Sequence, residues 1–176
     1  ILFFLISIIG CSNSGENNLQ APLIPMKDFF KNPEKTGYKL SPSGEYLSFL
    51  QPYENRLNIY IQKIGEKTSN RITDSKDRDI AGYFWKGNNR LVYVKDTNGD
   101  ENYHLFSVDM HGKKLVDLTP FPKVRVEVID DLHEDQNNMI IQMNKRNPNL
   151  FDVYRINVND GKLELIAENP GNITSW

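Results

Sequence analysis

Short apolar runs separated by polar turns fill most of the chain, and this pattern predicts a protein built from β-strands. Three segments, residues 46–73, 90–119 and 139–167, repeat the same order of features. Each has an apolar run, a polar turn, a second apolar run, a glycine and a last short apolar run. No long stretch shows the 3.6-residue period of an amphipathic helix, so the repeated unit is predicted to be all-β.

Matching residues at fixed places in the three segments give the length of the repeat. The shared glycines and the shared aromatic residues are Gly65, Gly112, Gly161, Tyr60, Phe106 and Tyr154. The aromatic residues are 46 and then 48 residues apart, a spacing that is typical of a propeller blade of four strands. Each segment accounts for three strands. The missing inner strand is expected just before each segment, around "GYKLSPSG", "AGYFWKG" and "VEVIDDLHED".

We therefore predict an all-β fold, a β-propeller of four-stranded antiparallel blades, within residues 23–176. About three blades are expected, plus the first strand of a fourth, because Trp176 in "GNITSW" matches Trp85 of "AGYFWKG". Both tryptophans are predicted to lie in blade cores. Propellers are stable when their blades close a ring, so we expect an incomplete ring that continues beyond Trp176. The alternative is an open array of three repeats.

The N-terminal residues indicate export and lipid attachment. Residues 1–10, "ILFFLISIIG", form an uncharged apolar run that is too short to span a bilayer and is typical of the h-region of a signal peptide. The ending "IIGC" looks like a bacterial lipobox, which predicts a lipid on Cys11. Residues 11–22 are polar and suit a tether. The alternative is a core strand or helix with a buried cysteine. The chain begins at Ile1, so we expect the signal peptide to be incomplete.

The stretch "KDTNGDEN" allows two interpretations, a cation-binding loop or a turn between strands. Asp96, Asn98 and Asp100 alternate along it as ligands of a cation would. An EF-hand loop beginning at Asp96 would need glycine at its sixth position and glutamate at its twelfth. Here glycine stands fourth and Ser107 stands twelfth. Asn-Gly is the strongest short signal for a hairpin, so we predict a turn whose charge faces water.

Composition adds few functional signals. The 176 residues are 39% hydrophobic and 25% charged, with a net charge of -2, so no basic excess points to nucleic acid. The sequence has no Gly-x-Ser-x-Gly elbow. His104, His111 and His133 have no partner at metal-ligand spacing and are predicted to be surface or edge histidines. The acidic run at residues 130–135 is predicted to be a solvated hairpin. We therefore assign no catalytic residue, metal site or cofactor.

The segment Leu23–Pro52 contains the motif "P-x-x-x-F-F-x-N-P-E" at Pro25–Glu34 and then "LSPSGEYLSF". This segment resembles the beginning of the propeller in the prolyl oligopeptidase family of serine peptidases, in particular in its dipeptidyl aminopeptidase and acylaminoacyl-peptidase branch. Ser43 stands where the family's Ser-Pro-Asp-Gly turn has aspartate. The stretch "NGDENYHLF" is similar to a blade of the same family.

The resemblance implies an N-terminal propeller joined to an α/β-hydrolase domain with a Ser-Asp-His triad, none of which lies in this chain. The propeller of such a protein caps the active site and filters substrates by size. With the lipobox, this implies an exported serine peptidase that hydrolyses short peptides and is anchored through Cys11 on the periplasmic side or the cell surface. The alternative is a non-catalytic TolB-like propeller lipoprotein that binds partners.

Overall fold

The computed structural model describes residues 23–31 and 33–176. The chain divides into two units, Ile1–Asn32 and Pro33–Trp176. Among the described residues of the first unit there is one short helix, α1 (Met26–Phe29), and its side chains are exposed. The predicted signal segment and tether, with Cys11, lie outside the described residues.

Residues 33–176 form twelve strands in three four-stranded antiparallel sheets, and within each sheet the strands follow one another in chain order. Blade 1 contains β1 (Thr36–Leu40), β2 (Tyr46–Tyr53), β3 (Arg56–Lys63) and β4 (Ser69–Arg71). Blade 2 contains β5 (Gly82–Lys86), β6 (Arg90–Lys95), β7 (His104–Asp109) and β8 (Val116–Asp117). Blade 3 contains β9 (Val126–Asp130), β10 (Asn138–Asn147), β11 (Leu150–Asn157) and β12 (Leu163–Ala167). The predicted all-β fold with four-stranded propeller blades is confirmed.

The inner strands β1, β5 and β9 lie where the repeat predicted them. Residues 168–176, where the first strand of a fourth blade was predicted, form no strand. Trp85 is buried, as expected for a blade core. Trp176 differs from this expectation, since 39% of its surface is exposed and its indole Nε1 donates to the carbonyl oxygen of Phe151 at 2.8 Å.

Blade 2 is buried on both faces because it packs between the other two blades. The neighbouring residues Leu91 and Val92 of β6 are both fully buried, and they join different hydrophobic clusters. Successive side chains of a strand point to opposite faces, so one cluster fills the interface with blade 1 and the other fills the interface with blade 3. This explains why the second segment has nearly continuous apolar runs instead of strict alternation.

The repeated glycine has a packing role between blades 1, 2 and 3. Gly112 of blade 2 has a φ of +74°, and a Cβ there would lie 2.9 Å from the carbonyl oxygen of Ile72 in blade 1. Gly161 of blade 3 has the same φ, and a Cβ there would lie 3.2 Å from the carbonyl oxygen of Leu118 in blade 2. Each turn therefore closes against the preceding blade, and only glycine fits without strain.

Candidate functional site

A concave site to which several blades contribute lies at the ends of the inner strands. It is a cleft of about 540 Å³ to which all three blades contribute. Its walls include the ends of β1 and β5 and the turn that follows β9. Residues that line it include Lys39, Leu40, Trp85, Lys86, Asp131 and His133. An ammonium, a carboxylate and an imidazole therefore stand beside apolar surface, which is suited to a ligand that carries both polar groups and apolar side chains.

Lys86 lines this cleft and joins blade 2 to blade 3. Its side chain is buried, and Nζ donates to the carbonyl oxygen of Asp131 and, at 3.0 Å, to that of Leu132. Burial lowers the pKa of the Lys86 ammonium, while nearby carboxylates oppose this shift. Because Nζ is held by two backbone carbonyls, Lys86 orders the turn that it contacts, and a nucleophilic role has no support.

The acidic run at residues 130–135 forms the turn between β9 and β10, and most of its side chains are exposed, as predicted. Its carboxylates cap the turn itself. Asp130 Oδ1 accepts from the N–H of Leu132 at 2.8 Å, and Asp135 Oδ1 accepts from the N–H of Asn137 at 2.9 Å. The side-chain hydrogen bond from Asn138 lowers the pKa of Asp135. The run therefore shapes one wall of the cleft through its backbone.

The loop between β6 and β7, residues 96–103, is the turn that the sequence predicted. Asn98 and Gly99 have φ values of 54° and 80°, so both adopt the left-handed conformation that makes Asn-Gly a turn signal. Asp100 accepts hydrogen bonds from the N–H and the side-chain amide of Asn102, and the pKa of its carboxyl is lowered by these bonds. Asp100 is therefore engaged within its own loop.

Asp96 contradicts the expectation that the charge of this turn faces water. Only 2% of the residue is exposed, and its Oδ1 accepts a hydrogen bond from Nε of Arg78 at 2.9 Å. The hydrogen bond from Arg78 lowers the pKa of the Asp96 carboxyl. The sequence could not show this contact because Arg78 belongs to the connection between blades 1 and 2. Asp96 and Asp100 thus point to different partners.

His104 also differs from its prediction as a surface or edge histidine. It is 9% exposed, and its Nδ1 lies 3.9 Å from Oδ2 of Asp117. His111 and His133 are exposed, in agreement with the sequence, and His133 lines the cleft. Across residues 23–31 and 33–176, no group of three or more His, Cys, Asp or Glu side chains could hold a metal ion.

A polar residue near the start of the third strand is buried in every blade, and the sequence analysis missed this feature. Asn58 in blade 1, His104 in blade 2 and Asp152 in blade 3 occupy this position. Asn58 donates to the carbonyl oxygen of Ser75 at 2.9 Å, and Asp152 accepts from the N–H of Asn169 at 2.8 Å. Asn58 and Asp152 thus fix the chain that leaves their blades. The signal was present, because each of the three lies two residues before a matching aromatic residue.

Asp152 is the only one of these three residues that has a carboxylate, and this carboxylate is fully buried. The guanidinium of Arg146 donates to it through Nε at 2.8 Å and Nη2 at 2.7 Å. The side-chain hydrogen bonds from Arg146 lower the pKa of Asp152. The pair closes the β10–β11 turn and holds the last connection of blade 3.

Comparisons with known proteins find curated relatives of this chain and solved structures that share its fold. No protein-family model matches the chain. The chain is 31% identical over 156 residues to dipeptidyl aminopeptidase BIII of Pseudoxanthomonas mexicana, a match that covers 88% of this chain and 23% of that protein. The chain therefore spans about a quarter of the length of this curated relative.

Two solved structures share the fold. An acylaminoacyl peptidase of Pyrococcus horikoshii superposes with a TM-score of 0.56 at 14% identity, covering 78% of this chain and 25% of that one. TolB of Acinetobacter baumannii superposes with a TM-score of 0.51 at 16% identity, covering 74% of this chain and 31% of that one. At these identities the likeness concerns the fold alone. In the part of the chain that the structure describes, no helix is long and apolar enough to cross a membrane.

Proposed function

Because this chain is similar to the propeller region of prolyl oligopeptidase family peptidases, as the sequence predicted, we propose that it is the substrate-gating part of a serine peptidase that hydrolyses short peptides. The observation that carries the proposal is the 31% identity to a dipeptidyl aminopeptidase over 156 residues. A shared propeller fold would not require this similarity, since the TolB structure has the same fold at 16% identity.

The proposal includes further blades and a hydrolase domain after Trp176. The curated relative is far longer than this chain, which covers 23% of it. In the complete protein, the serine of the hydrolase domain would attack the peptide carbonyl and form an acyl-enzyme that water then hydrolyses. The propeller would contribute no reacting group and would control which peptides reach that serine.

The cleft at the inner-strand ends is the feature of this chain that suits a gating role. Residues of all three blades line it, so the packing between blades sets its width. Leu40 and His133 are exposed on its walls, where a passing peptide would meet them. The hydrogen bond from Lys86 to the carbonyl oxygen of Leu132 holds the turn between β9 and β10 in place, next to His133.

The experiment for this proposal uses the complete protein in its folded state. A fluorophosphonate probe should label it at a serine outside residues 1–176, and it should release dipeptides from short chromogenic peptides. A folded complete protein that takes no label and releases no product would refute the peptidase and favour the TolB-like binding scaffold. Circular dichroism of the same sample separates inactivity from misfolding.

We also propose that the protein is exported and anchored to a membrane through a lipid on Cys11. The support is the apolar run at residues 1–10, followed directly by the cysteine and a polar segment. In the native host, Cys11→Ser should lose incorporation of a labelled fatty acid and leave the membrane fraction, while the control Ser12→Ala should keep both. Wild-type protein that carries no label would contradict the anchor and leave the peptidase proposal untouched.

A further inference from the structure

The loop between β6 and β7 contains a chemically labile pair. Asn98-Gly99 is the only Asn-Gly sequence in the 176 residues. Both residues are exposed, and both have positive φ. The hydrogen bond that closes the turn runs from the N–H of Asp100 to the carbonyl oxygen of Thr97 at 3.1 Å, so it uses neither the Asn98 side chain nor the Gly99 N–H.

We propose that Asn98 is a site of spontaneous deamidation in the folded protein. Within the described residues, no hydrogen bond engages the Asn98 carboxamide or the Gly99 N–H. Glycine has no side chain to shield its own nitrogen, so the Gly99 nitrogen is free to reach the neighbouring carboxamide. The same features that make the pair a good turn leave its reacting groups unprotected.

The chemistry requires only water. The Gly99 nitrogen attacks Cγ of Asn98, the Cγ–Nδ2 bond breaks, and the nitrogen of Gly99 loses its proton as ammonia leaves. The product is a five-membered succinimide. Water then opens one of its two carbonyls and gives either aspartate or isoaspartate at position 98. Each product carries one more negative charge than the original amide.

Two other sites in the same structure are protected from succinimide formation. At Asp160-Gly161, a pair that can form the same succinimide with loss of water instead of ammonia, the Gly161 N–H donates to the carbonyl oxygen of Asn157 at 2.9 Å, and its backbone is packed against Leu118. Asn102, in the same loop as Asn98, donates its side-chain amide to Asp100 at 3.2 Å and is followed by a tyrosine. Both sites should therefore react more slowly than Asn98.

The modification would act on the Arg78–Asp96 ion pair. A Cβ on Gly99 would lie 3.5 Å from Nη1 of Arg78, so the loop backbone packs against the guanidinium that binds Asp96. Aspartate at position 98 adds a carboxylate beside this contact, and isoaspartate lengthens the backbone by a methylene. Either product should loosen the loop at residues 96–103.

The test incubates the complete folded protein at mildly alkaline pH and follows the tryptic peptide of residues 96–113 by mass spectrometry. This peptide contains both Asn98 and Asn102, so fragment ions compare them within one sample. We expect Asn98 to lose its amide first, with isoaspartate among the products, while Asn102 stays intact. Asn98→Gln should abolish the early change, because glutamine cyclises far more slowly.

A synthetic peptide of residues 96–113 provides the reference for an unfolded loop. If Asn98 stays an amide in the folded protein while it reacts in the peptide, the fold protects the site and the proposal is wrong. Equal loss of amide at Asn98 and Asn102 would also overturn it, as would an early acidic product in the Asn98→Gln variant.

Discussion

Ser48→Ala is expected to weaken the interface between blades 1 and 2. Ser48 is fully buried in β2, and its Oγ donates to the carbonyl oxygen of Lys39 at 3.1 Å. The same oxygen accepts the indole N–H of Trp85 at 2.9 Å and lies 3.0 Å from the hydroxyl of Tyr83. One hydroxyl thus links two strands of blade 1 to two aromatic residues of blade 2.

The loss of stability in Ser48→Ala depends on which hydrogen-bond acceptors remain for Tyr83 and Trp85. The Tyr83 hydroxyl still has the carbonyl oxygen of Gly37 at 2.7 Å, so it keeps an acceptor in the variant. The Trp85 indole has no second acceptor in the described structure, and its N–H would stay buried without a partner. An unsatisfied buried donor costs about 1–3 kcal/mol. Local protection against hydrogen exchange should therefore fall about 5- to 150-fold.

Hydrogen exchange with mass spectrometry on the complete protein measures this change in the peptides of β2 and β5. Ser175→Ala is the control, because the Ser175 side chain is exposed and makes no hydrogen bond to the described residues, so its effect should stay within about 0.5 kcal/mol. In a Trp85→Phe background the indole donor is gone, so Ser48→Ala should cost less there. Equal losses of protection in both backgrounds would show that the Ser48–Trp85 contact does not hold the two blades together.

Three further changes test other parts of the structure. Ile141→Ala should destabilise the fully buried interface of blades 2 and 3 by about 2–5 kcal/mol, measured by exchange in β10. The hydrogen bond from Arg78 lowers the pKa of the Asp96 carboxyl in the folded protein. Protection of residues 96–103 against hydrogen exchange should therefore be complete above the ordinary carboxyl pKa of about 4 and fall as the pH drops below it. Asp96→Asn should remove this pH dependence. If the cleft gates peptides, Leu40→Trp should lower kcat/KM for long peptides about tenfold relative to kcat/KM for short peptides, which corresponds to about 1.4 kcal/mol. Leu115 is also exposed but does not line the cleft, so Leu115→Trp should leave this ratio unchanged.

The strands could be predicted from the sequence because the residues that form each blade are close together in the chain. Each hairpin lies within about 30 residues, and its turn residues and apolar alternation are visible without knowledge of the partner blade. The inner strands β1, β5 and β9 were predicted from the same repeat. The repeated glycine was visible too, although its reason, the close approach to the preceding blade at Gly112 and Gly161, required coordinates.

The buried polar contacts could not be predicted in this way. Asp96 looks like a surface carboxylate until Arg78, from the connection between blades 1 and 2, is placed beside it. Lys86 looks like a solvated end of a strand, yet its partners at Asp131 and Leu132 belong to the next blade. Burial of a charged side chain depends on a compensating partner, and the partner's distance along the chain hides it from a local pattern.

Two consecutive residues of β5 make the cleft depend on both blade interfaces. Trp85 donates to Ser48 of blade 1, whereas Lys86 donates to backbone carbonyls of blade 3. The two side chains leave the strand on opposite faces and both line the cleft, so a shift at either interface changes the same opening. Ser48→Ala should therefore alter peptide selection in the complete protein as well as local protection. A variant that loses protection at β5 but keeps the selectivity of the wild type would show that the cleft does not gate the substrate.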